Sequence, residues 1–138
     1  MEKVSRTIYW IASCLFLTGV VAQVFLAGMT VVARRMGWNN HISLGHMLAL
    51  PLLFMLVSQY PAHLPRRMKG LTWILFGVYA LQADVIIFLR EVLPVVSAFH
   101  PVLALVDFML ALSLARAAWP LLKTAQNAQP ELVASPAD

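Results

Sequence analysis

Four long apolar blocks, near residues 8–32, 42–59, 71–89 and 95–122, make up most of the chain. Only three short links separate them, "ARRMGWNNH", "YPAHLPRRMKG" and "REVLP". A helix needs about 20 apolar residues to cross the hydrocarbon core of a bilayer, and these blocks match or approach that length. Short links force successive helices to run antiparallel and to pack as neighbours. The predicted fold is therefore an all-α integral membrane protein, a four-helix up-down transmembrane bundle spanning residues 1–124. The polar tail "AQNAQPELVASPAD", residues 125–138, is predicted to be flexible.

Composition agrees with the blocks. Of 138 residues, 61% are hydrophobic and 12% charged, with mean hydropathy +0.79, whereas a soluble domain is about 45–50% apolar and about 25% charged. The net charge of +4 sits almost wholly in the links and ends. It reads as a topology signal and not as a nucleic-acid surface. Lys3, Arg6, Arg66, Arg67, Lys69, Arg116 and Lys123 fall on one side, and Arg34, Arg35 and Arg90 on the other. Both termini are thus predicted to be cytoplasmic, and the protein a multi-pass resident of a bacterial inner membrane. The first block is too long for the apolar core of a cleavable signal. Cys14 alone builds neither a disulfide framework nor a metal cluster.

Polar residues inside such blocks are costly and need partners. "SLGHMLAL" (43–50) and "SAFHPVLAL" (97–105) share a Ser-x-x-His frame. On this topology His46 and His100 lie at similar depth on the second and fourth helices, which are diagonal partners. A flat macrocycle between them would take both as axial ligands, so one bis-histidine haem b is expected in the outer leaflet, with another tetrapyrrole as the variant of the same chemistry. Gly45 would let the macrocycle approach the backbone, and Arg34, Arg35 and Arg90 would meet its propionates. The competing reading is that the histidines only hydrogen-bond between helices. If Pro101 is the first helical residue, His100 is a cap; if the helix begins near Pro94, a kink at Pro101 aims His100 inward, and the second arrangement matches the depth of His46. His41 is placed at the outer interface and His63 in solvent. Asp84 and Asp107 read either as a proton relay or quinol site, or as interhelical hydrogen-bond partners, the latter preferred for Asp107.

"QVFLAGMT" (23–30), "HISLGHMLAL", "LQADVIIF" and "LPVVSAFHPVLALV" resemble one four-helix half of the haem A synthase family. Small uncharacterised four-helix bacterial membrane proteins are similar in length and loop pattern. The resemblance covers roughly residues 18–115 and implies that His46 and His100 are the paired haem ligands. Ser43 stands where that family typically has a Glu, and Met47 where an Arg often follows the histidine. The resemblance therefore implies a haem-binding scaffold more than the enzyme. Three functions remain open at this point. The first is a small b-type cytochrome for electron transfer, alone or as an accessory subunit of a respiratory or photosynthetic complex, and not an enzyme on its own. The second is a cofactor-free structural or assembly subunit, and the third a haem-modifying enzyme acting as a dimer. The expected partners are the lipid bilayer, a membrane protein or a second copy, and a quinone.

Overall fold

The computed structural model describes residues 1–89 and 91–127. These residues form helices joined by turns and short loops, with no strand among them. Four rods lie side by side. The first is α1 (Glu2–Val31). The second is α2 (Asn39–Met47) followed by α3 (Ala49–Ser58). The third is α4 (Arg66–Ala80), a π-helical turn (Leu81–Val85) and α5 (Ile86–Leu89). The fourth is a 3-10 segment (Pro94–Phe99) running into α6 (His100–Asn127). The tail expected from residue 125 thus begins as helix, and residues 128–138 lie outside the described residues.

Three helices are long and apolar enough to cross a membrane: Glu2–Val31, Asn39–Ser58 and Pro94–Lys123. The third rod is divided by its π turn. Most of the apolar surface faces outward. Ile8, Ile11, Leu15, Val21 and Val24 of α1 are exposed, while Tyr9, Ala12, Ser13, Phe16 and Val20 are buried at three- and four-residue spacing. A helix apolar on both its buried and its exposed faces suits lipid and not water.

Contacts at the two ends fix the antiparallel course. Near the start of α1, the Arg6 guanidinium donates to the carbonyls of Ala62 (3.2 Å) and Leu121 (3.3 Å). Near its far end, Gln23 meets His41. α1 packs against the second and fourth rods, and α4 against α3 and α6. Small residues let the rods approach: Ala111, Ala115 and Ala118 are buried on α6. Gly19 of α1 lies hard against the Leu48 side chain, so a Cβ there would force that side chain to shift. In the core, the Tyr9 and Thr72 hydroxyls bond at 2.7 Å, and Phe16 meets Tyr79 edge-on with ring centres 5.9 Å apart. At the end of the bundle that carries Met1, Lys69 lies over Tyr60 and Lys123 over Trp119.

Each break in a rod has a local cause. Pro51 has no N–H for the carbonyl of Met47 and its ring crowds that carbonyl, so helix is interrupted at Leu48. After α1, Arg34 adopts φ 52° and the Arg35 N–H folds back to the Met29 carbonyl at 3.1 Å. Pro101 is the second residue of α6, where a missing N–H costs nothing. The helical path does begin at Pro94, as one of the two arrangements required. The path changes from 3-10 to α geometry at His100, one residue before Pro101.

Candidate functional site

Two glutamines and two histidines meet at the end of the bundle away from Met1. In each half of the chain a histidine follows a glutamine by 18 residues and bonds to that glutamine's main-chain carbonyl. His41 Nδ1 lies 3.1 Å from the Gln23 carbonyl, and His100 Nδ1 lies 3.3 Å from the Gln82 carbonyl. A carbonyl only accepts, so each Nδ1 carries the proton and each Nε2 keeps a lone pair. The rings of His41 and His100 meet edge-on with centres 6.0 Å apart and planes at 60°. Trp38 closes the other side of His41, edge-on at 5.4 Å.

The repeated Ser-x-x-His frame led to His46 and His100 as the pair, whereas the ring contact His100 makes in the fold is with His41. His100 does converge on a second imidazole, but it is that of His41. His46 is exposed and lines a separate cleft with Asp84 and Phe88. The reason is helical geometry: His41 and His46 are five residues apart, about 140° around the helix axis at 100° per residue, so only one can face the fourth rod. His63 is exposed, as expected, with Nδ1 3.9 Å from the Glu2 carboxylate.

Gly45 has a packing role. A Cβ on it would come within 2.8 Å of the Gln23 amide nitrogen. That amide donates to the His41 carbonyl at 2.9 Å, and the Gly45 carbonyl itself accepts from the Tyr79 hydroxyl at 2.8 Å. The space expected for a macrocycle beside Gly45 is thus taken by Gln23. Arg34 and Arg35 are exposed on the link between α1 and α2, close in sequence to His41. Arg90 lies outside the described residues.

The second half carries an extra brace. The Gln82 amide donates to Oδ2 of Asp107, and Asp107 is fully buried. The preferred interhelical reading of Asp107 agrees with this bond. Gln82 continues the buried stripe Leu75, Tyr79 and Ile86 at three- and four-residue spacing, and Asp84, two residues on and about 200° around the axis, is exposed. Polar capacity is left over around the paired rings: Gln23 Oε1, Gln82 Oε1 and Asp107 Oδ1 are buried without a partner.

These residues fit the donor chemistry of a bis-imidazole metal site. Ligating histidines characteristically give their other N–H to a carbonyl, which fixes ring orientation. Among the described residues no cluster of three or more His, Cys, Asp or Glu could hold a bare metal ion. A metal held by only two protein ligands needs the rest of its coordination from elsewhere, which a macrocycle provides.

The sequence model of DUF6220, a family of unknown function, matches residues 23–87. The matched segment contains Gln23, His41, Gly45, His46, Gln82 and Asp84 and stops short of His100. No curated protein and no solved structure matches the chain.

Proposed function

We propose that this protein is a small membrane cytochrome of the b type, holding one haem b between His41 and His100. The observation that carries the reading is the adjacent pair of imidazoles, in edge-on contact and each with Nδ1 committed to a main-chain carbonyl. The resemblance set out under the sequence also points to one haem between the second and fourth helices. Bound there, the haem would supply one-electron exchange. His41 and His100 would together hold the haem, and a haem held by two imidazoles would serve electron transfer rather than oxygen binding. The Gln23 and Gln82 carbonyls orient the two rings, and the Gln82–Asp107 bond holds the second carbonyl in place. Arg34, Arg35 and Arg90 supply cations for propionates.

In this reading the third rod is a fourth span. Both termini lie in the cytoplasm, following the Lys and Arg distribution, and the histidine end faces outward in a bacterial inner membrane. The test is the reduced-minus-oxidised absorption spectrum of the purified protein, with a pyridine haemochrome to identify the macrocycle. A sharp reduced α band that vanishes in His41→Ala and in His100→Ala, and persists in His46→Ala, supports the assignment. A colourless protein after expression with ample haem overturns it.

One observation favours a second reading. Each imidazole already ties two rods together through its Nδ1 bond, which is what a cofactor-free assembly subunit would require. In that case His41→Ala lowers the yield of an assembled complex with no visible band at stake.

A further inference from the structure

Away from the paired histidines, a cleft of about 600 Å³ is lined by His46, Ala83, Asp84, Val85, Phe88 and Leu89. It lies where the second rod passes the π turn and α5. His46 and Asp84 are both exposed, and Phe88 is 79% exposed. An imidazole and a carboxylate open to the surface of apolar, membrane-length rods are costly unless a polar group meets them. Asp84 follows the buried Gln82 by two residues, about 200° around the axis, so it faces out where Gln82 faces in. We propose that this cleft binds a lipid-soluble quinol.

The chemistry of the lining selects that class. The volume lies within the range of small-molecule sites, about 300–1,000 Å³. One acid, one imidazole and four apolar residues suit a neutral aromatic ring bearing hydroxyls. Asp84 accepts from one hydroxyl, His46 Nδ1 or Nε2 bonds the other, and the Phe88 ring offers an aromatic surface. A phospholipid phosphate is disfavoured, because among the described residues the lining carries an acid and no Lys or Arg. The inference concerns binding and does not depend on the haem reading, whose failure would show in a different assay.

The test uses the full chain in phosphatidylcholine nanodiscs with a photoreactive azido-naphthoquinone in its reduced form. Labelling is expected on residues 81–89 and near His46, competed by a decyl-naphthoquinol. Val85→Trp fills the cleft from an exposed position without touching the core and should cut labelling roughly tenfold; Asp84→Asn should cut it several-fold. A thermal melt equal to that of the parent shows that both variants are folded. Label spread over other helices, or undiminished in Val85→Trp, overturns the proposal. So does a phosphatidylglycerol retained by the parent and lost in Val85→Trp, or a Phe88→Cys variant that oxidises quantitatively to a dimer in native membranes, since either puts a different occupant on the cleft.

Discussion

At the scale of single residues, the site depends on which atoms are already committed. His41 and His100 spend Nδ1 on carbonyls and keep Nε2, whereas His46 faces a different surface altogether. Gly45 is the tightest point nearby, because a methyl group there must push back the Gln23 amide. Gly45→Ala is expected to cost about 1–3 kcal/mol by breaking or straining that buried hydrogen bond, read as a lower melting temperature in detergent. Gln82→Leu removes the donor to Asp107 and leaves a buried carboxyl without its partner. It should destabilise the fold by a similar or larger amount, and Gln82→Leu combined with Asp107→Leu should recover part of the loss in the same melt. Sequence reading had marked His41, His100 and Asp107 as polar groups within or beside apolar blocks, and had given no role to Gln23 or Gln82. It paired His46 with His100 because the Ser-x-x-His frame repeats. The spacing that counts was also present, a histidine 18 residues after a glutamine in both halves. It connects residues on adjacent rods, so it surfaces only once the rods are packed.

At the scale of elements, the π turn at Leu81–Val85 and the break at Leu48 set the directions of the site. Deleting Ala83 should return the third rod to plain α geometry and rotate everything beyond it by about 100°. Gln82 and Asp84 would then lose their opposed orientations. The expected result is loss of the Gln82–Asp107 brace at the histidine end, with the Tyr9–Thr72 contact kept at the other. Hydrogen exchange should therefore rise across residues 82–107 and remain low across 9–20 and 66–75. Pro51 foretells the break in the second rod through its missing N–H. Nothing comparable in "LQADVIIF" foretells the π turn, because an extra residue within a helix is a matter of fit against neighbours and not of local propensity. For the same reason the sequence left the role of Pro101 open between two arrangements.

At the scale of the whole molecule, apolar blocks and short links are enough to predict an all-helical chain of rods. Three of those rods are long and apolar enough to span a membrane, and the fourth is long enough only when its π turn is counted in. The buried stripe Tyr9, Ala12, Phe16 and Val20 follows helical periodicity, but an apolar residue on every face hides from sequence which stripe is buried. That is why packing partners such as Gly19 and Leu48 emerge only from the fold. The proposed orientation predicts that a cysteine introduced into the 60–65 turn of a Cys14→Ala background is labelled by a membrane-impermeant maleimide only in inverted vesicles. One introduced at Asn39 or Asn40 should be labelled in intact spheroplasts. Labelling with the opposite sidedness would reverse the bundle and put the histidine end inside.

The bis-histidine assignment stands or falls on one comparison: the dithionite-reduced minus oxidised spectrum of the purified protein beside those of His41→Ala, His46→Ala and His100→Ala. It predicts a sharp α band in the parent and in His46→Ala, and loss of that six-coordinate band in the other two. A band that survives in His41→Ala and disappears in His46→Ala, or no band in any of the four, would contradict it.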